Sequence, residues 1–259
     1  MSDFDRVTTR FGRASVGTTA VVDPGLRAYM LHIYNYMVFG LAITGCAALG
    51  TYMLAVTDDP SAVAFRLRDG LALTSFGHAV FVGPLKWAII FAPLALVFVL
   101  SFGIERMRPA TAQLLFWLYA ALVGMSLGAI FLVYTHTSVV RVFFITAASF
   151  GALSVWGYTT QRDLTGIGSF LIMGLFGVII ASLVNVFLAS SMLQFVISVV
   201  GVLVFAGLTA WDTQQIKEMY SPMDDGTVAG RKAVMGALKL YLDFINLFLM
   251  LLRLFGDRR

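Results

Sequence analysis

Six stretches of the chain are long, almost uninterrupted apolar runs, at about residues 34–56, 87–104, 112–134, 140–158, 167–189 and 193–211, and short charged or turn-forming breaks separate them. Each approaches the ~20 apolar residues that an α-helix needs to cross a ~30 Å hydrocarbon core. A seventh, at about 235–255, has the same length but carries Lys239, Asp243, Asn246 and Arg253. In hydrocarbon every backbone N–H and C=O must be satisfied internally, so runs of this kind specify helices. The pattern predicts an all-α polytopic membrane protein, a bundle of seven transmembrane helices over residues 29–259, preceded by a polar arm at 1–28. Composition agrees: 59% of the residues are hydrophobic and 12% charged, against about 25% charged in soluble domains.

The breaks are chemically distinct. Asp58-Asp59-Pro60 ends the first run, and a mixed loop follows at 57–86, whose middle (GLALTSFGHAVFVG) reads as a re-entrant or interfacial segment. The turn Glu105-Arg106-Met107-Arg108-Pro109 ends the second, with Pro109 suited to the first turn of the next helix. The polar arm lacks the short apolar core of a signal peptide. Counting Lys and Arg by loop places ten on the N-terminal side and seven on the other if the last helix crosses fully. A re-entrant last helix would change the count to thirteen against four. Both favour a cytoplasmic N-terminus under the positive-inside rule, and the side of the C-terminus remains open.

The residues exclude several functions. The net charge of +4 comes from Lys and Arg at the ends of apolar runs, not from a patch, so no nucleic-acid partner is expected. The single cysteine, Cys46, rules out an intramolecular disulfide and a cysteine metal cluster. His32, His78 and His136 lack a second ligand at close spacing, so no metal or cofactor is expected. Asp224-Asp225-Gly226 is a turn signature. Gly124-Met125-Ser126-Leu127-Gly128 matches the serine-hydrolase Gly-x-Ser-x-Gly pattern, but it lies inside an apolar run, where small residues serve helix packing. No nucleophile, base and orienting group occur together, so an enzyme is not expected.

Two acids remain to be explained. Asp212 lies near the end of the sixth run, and Asp243 has apolar residues on both flanks in the seventh. An Asp at the centre of a membrane helix costs roughly 2.5–3.5 kcal/mol, so it marks a functional site unless it is paired or wetted. The sixth helix leaves the membrane where the seventh enters, so the two carboxyls can sit at similar depth. Thr213, Gln214, Gln215 and Lys217 read as residues that carry the chain into water. Asn246 and Arg253 fall near the helical stripe of Asp243, which makes them candidates to line a polar path. Arg106, at the end of the second run and on the side of Asp212, is a candidate counter-ion. Arg108 reads as an interfacial anchor.

The segments LTAWDTQQIKEMY and ALKLYLDFINLFLMLLRLFG resemble the signature ends of the Bax inhibitor-1 family, the transmembrane Bax inhibitor motif proteins. The resemblance extends over nearly all of the chain beyond the polar arm. It implies a seven-helix bundle with the last helix central, in the inner membrane of a bacterium. It further implies a pH-sensitive calcium leak channel, with Asp212 and Asp243 as a hydrogen-bonded sensing dyad and Arg106 as its latch. On that reading the singly protonated dyad ties the second, sixth and seventh helices together, and loss of the shared proton loosens them. The chain departs from shorter bacterial members in its longer arm, its enlarged first loop and its extended loop between the dyad helices (EMYSPMDDGTVAGRKAVMG). Its second span also carries no acidic residue. Some bacterial relatives are instead non-conducting factors that bind a membrane quality-control protease, and the polar arm is the segment such a partner would use.

Overall fold

A computed structural model describes residues 23–67 and 70–259. The polar-arm residues Arg6, Arg10 and Arg13 and the loop residue Arg68 lie outside the described residues.

Seven helices are long and apolar enough to cross a membrane. They comprise α1 (Pro24–Ala55), α3 (Leu85–Gly103), α4 with its short continuation α5 (Pro109–Leu127 and Ile130–Val133), α6 (His136–Thr159), α7 (Thr165–Leu188), α8 (Ser191–Glu218) and α9 (Gly226–Phe255). The short α2 (Ser75–Phe81) lies in the first loop, after a two-residue antiparallel pairing of β1 (Phe65–Arg66) with β2 (Ala72–Leu73). The segment read as re-entrant or interfacial holds β2 and a seven-residue helix, capped by Thr74 Oγ1 accepting from the Gly77 N–H.

Caps explain why two helices extend beyond their apolar runs. Asp23 accepts from the Gly25 N–H at 2.8 Å and Pro24 occupies the first turn, so α1 begins inside the stretch assigned to the polar arm. Asp225 accepts from the Val228 N–H at 2.7 Å and starts α9 at Gly226, well before Met235. Asp224 beside it pairs with Lys232 at 2.7 Å. Caps stabilise helix outside the hydrocarbon, where composition turns polar while the backbone stays helical.

The arrangement is built on α9. In its most apolar window 72% of the residues are buried, against 39% for α8 and 17% for α3 and α7. It packs against α1, α4, α6 and α8, while α3 packs on α4 and α7 on α8. Glycines permit close approach where these helices meet. Gly124 faces the α1 backbone at Thr44, Gly128 faces Ala48, and Gly157 faces the α8 backbone at Ala210. Both glycines of the hydrolase-like motif thus sit at the α1–α4 contact. Gly168 lies under the Trp211 ring.

The C-terminal tail settles the course of the last helix. The Thr135 N–H donates to Asp257 O and the Arg259 N–H to Val133 O, each at 3.0 Å, and Arg141 pairs with Asp257 at 2.8 Å. The tail therefore lies on the α5–α6 turn, at the end of the bundle away from Pro24, and α9 runs the full length as one helix.

Gly157→Val would drive a side chain into the Ala210 backbone and separate α6 from α8. It is expected to cost about 1–3 kcal/mol, read as a lower thermal midpoint in detergent. Gly177→Ala on α7, where an added Cβ meets nothing within 4 Å, should leave the midpoint unchanged or raise it.

Candidate functional site

Tyr241 sets the rotation of α9. Its hydroxyl lies 2.6 Å from Thr44 Oγ1 of α1, and its ring meets Phe116 and Tyr119 of α4 edge-on at 5.7 and 5.6 Å. Two residues further on, roughly 200° around the helix, Asp243 faces away from α1 and α4 and towards α8. There it meets Asp212, in the last turns of α8. Both are buried, with 8% of Asp212 and 5% of Asp243 exposed. Their carboxyl groups are neighbours across the α8–α9 contact. A hydrogen bond between two carboxyls needs a proton on one of them, because both oxygen pairs otherwise only accept. Asp243 Oδ2 is shielded from solvent and has no hydrogen-bond partner among the described residues.

The cation at this pair is Lys239. It lies one turn before Asp243 on α9, with Nζ 3.4 Å from Asp212 Oδ1, and is partly exposed. Arg106 does not take this position. α3 tightens into a 3-10 turn over Ile104–Arg106, the Arg106 side chain is exposed, and among the described residues it makes no ion pair or side-chain hydrogen bond. The turn is held to α9 by a different arginine, Arg231, whose Nε donates to Met107 O at 2.7 Å. The i, i+4 spacing of Lys239 to Asp243 is visible in the sequence, but its reach to Asp212 depends on how α9 is turned against α8.

The other candidates are dispersed along α9. Asn246 is half-buried, and its Nδ2 donates to Leu242 O of its own helix at 2.8 Å. Arg253 is exposed in the last turn, where a cation complements the helix dipole. Lys232, Lys239, Asn246 and Arg253 recur every seven residues, a spacing that keeps them on one face with slow drift. None of the four is fully buried, so this is the incompletely covered face of an otherwise enclosed helix.

Two of the four residues read as carrying α8 into water, Thr213 and Gln214, do the opposite. Thr213 is fully buried, and its hydroxyl lies 2.9 Å from Ser154 Oγ, which lies 2.7 Å from Tyr34 OH. This chain joins α8, α6 and α1. Gln214 clamps the α6–α7 turn, accepting from the Leu164 N–H and donating to Arg162 O, each at 2.9 Å. Asp212 is thus held on a segment fixed on two sides by buried hydrogen bonds. Among the described residues, no group of three or more His, Cys, Asp or Glu could hold a metal.

The family profile described as "Inhibitor of apoptosis-promoting Bax1" (Bax1-I) matches residues 26–259. The chain belongs to the Bax1-I family. The "Inner membrane protein YbhL" of Escherichia coli K12 is 43% identical, over 93% of this chain and 97% of its own. The protein RP147 of Rickettsia prowazekii is 48% identical over 92% of each chain, and a Caulobacter vibrioides protein 43% identical over the full length of both. The family, its integral membrane character and an inner-membrane bacterial relative agree with the resemblance read from the two C-terminal segments.

Lys239→Met would leave the buried Asp212 without its cation, and is expected to cost about 1–3 kcal/mol, nearer the lower figure because Lys239 is partly exposed. Arg106→Met should change stability by less than about 0.5 kcal/mol. Thermal midpoints of the two variants in one detergent check the order, and the reverse order would restore Arg106 as the counter-ion.

Proposed function

We propose that this Bax1-I protein is a pH-sensitive leak channel for calcium and other small cations, gated by the Asp212–Asp243 pair, with its Pro24 end in the cytoplasm. The observation that carries the reading is a carboxyl pair facing itself across α8 and α9, with a buried, unpartnered oxygen and one lysine as counter-charge.

The chemistry follows from charge. With one proton shared, the pair carries a single negative charge that Lys239 balances, and the hydrogen bond ties α8 to α9. When that proton leaves, two carboxylates repel at close range while one lysine faces them, and the site becomes net negative. Repulsion loosens the α8–α9 contact, and the unbalanced charge attracts a cation. Such pairs titrate in two macroscopic steps that belong to the pair, not to either residue. The incompletely covered face of α9, with Lys239, Asn246 and Arg253, supplies the polar surface along which an ion would pass. Because Lys239 and Arg253 are themselves cationic, passage is slow and weakly selective, as suits a leak. A cytoplasmic Pro24 end is supported by Arg27, Arg108, Arg162, Lys217, Arg231 and Lys232, which gather there.

Flux should therefore rise with pH through the step in which the pair loses its proton. Purified protein in liposomes loaded with a calcium dye and stepped in pH measures this. Asp212→Asn and Asp243→Asn, which keep a hydrogen bond without a titrating proton, are expected to hold flux low and flat across pH. Wild-type pH dependence in both variants would sink the mechanism.

A further inference from the structure

On the side of α9 opposite the polar stripe, α1 and α6 diverge and leave a crevice of about 1350 Å³. This exceeds the ~300–1,000 Å³ that accommodates a drug-sized ligand. Phe244 and Phe248 of α9 form its floor, and Leu127 and Phe131 close its far end. Its walls are almost wholly apolar, and apart from Thr44, whose hydroxyl is taken up by Tyr241 and Ala120 O, the polar groups lie at one end. These are Arg27 at the mouth, Tyr158, and the hydrogen-bonded Tyr34 and Ser154. Gly45 of α1 and Gly151 of α6 both line it, and a Cβ added at either would meet nothing within 4 Å. Small residues on the two walls keep the space open, whereas the glycines at helix contacts elsewhere are filled against a neighbour.

In a bilayer this crevice opens sideways into hydrocarbon. Water does not occupy an apolar space of this kind, and an empty one would forfeit its dispersion contacts. Arg27 is exposed at the mouth and has no carboxylate partner among the described residues. Lys217 lies near the same end, its Nζ donating to Tyr158 O and placed 5.7 Å from the Tyr158 ring centroid. We infer that the crevice is a binding site for one anionic phospholipid of the leaflet at the Pro24 end. Its acyl chains lie between α1 and α6 over Phe244 and Phe248, and its phosphate sits at Arg27, whose planar guanidinium suits a phosphate.

The full-length protein, reconstituted in equimolar phosphatidylglycerol and phosphatidylcholine and re-extracted, would be examined by native mass spectrometry. Wild type is expected to retain phosphatidylglycerol about fivefold over phosphatidylcholine, the ratio that one arginine near anionic headgroups confers. Arg27→Gln should bring that ratio close to one, and Gly45→Phe with Gly151→Phe should abolish retention at an unchanged thermal midpoint. Should the filled variant fail to fold, bimane on Cys46, the single cysteine, which also lines the crevice, supplies the test. Brominated phosphatidylglycerol should then quench it more strongly than brominated phosphatidylcholine. Equal retention by wild type and the filled variant, or equal quenching by the two lipids, would reduce the site to ordinary bilayer contact and overturn the proposal. A lipid-free wild-type dimer that the filled variant breaks would assign the crevice to a second copy of the chain, and would overturn it equally.

Discussion

Two carboxyl groups and one ammonium share the α8–α9 interface, and the packing around them is arranged to hold that set. Placing Asp243 inside a membrane helix is tolerable only if the helix is enclosed and the acid is met by a partner. α9 satisfies the first condition by being the most buried span. α8 satisfies the second by presenting Asp212 from a segment that Thr213 and Gln214 pin to α6 and to the α6–α7 turn. Tyr241 fixes the remaining freedom, since its contacts with Thr44, Phe116 and Tyr119 leave α9 one rotation in which Asp243 points at Asp212.

This explains why the polar residues of α9 differ in their surroundings. Asp243 is enclosed, Lys239 reaches the acid pair while remaining partly exposed, Asn246 turns back onto its own helix, and Arg253 ends in the exposed last turn. The opposite face of the same helix is aromatic and floors the crevice between α1 and α6. The Tyr34–Ser154–Thr213 chain crosses from the polar end of that crevice to the residue beside Asp212. A lipid held there and the acid pair would thus share one hydrogen-bonded element, although the lipid site rests on geometry separate from the channel reading.

Most of the architecture was legible in the chain. Seven apolar runs placed seven spans, and each run lies on one of the seven long helices, because a membrane leaves an apolar run of that length no other way to satisfy its backbone. Helix ends were less legible. Residues 24–28 and 226–234 are polar enough to resemble loops, yet Asp23 with Pro24, and Asp225, start helices there by capping them. The first-loop segment reads as re-entrant or interfacial because apolar content alone does not separate a short, partly exposed loop helix from a membrane re-entry.

The sequence by itself determined the class, the family and the two acids, since composition, run length and the two C-terminal segments are local properties of the chain. Only the tertiary structure decided which cation serves them. Arg106 and Lys239 are both basic residues near one end of the bundle, and the choice depends on the side to which each helix turns. The 3-10 turn after α3 leaves Arg106 exposed, while the rotation of α9, set by Tyr241 far along the chain from Thr44 and Phe116, carries Lys239 to Asp212. That rotation is a property of several helices packed together, which no single stretch of residues encodes.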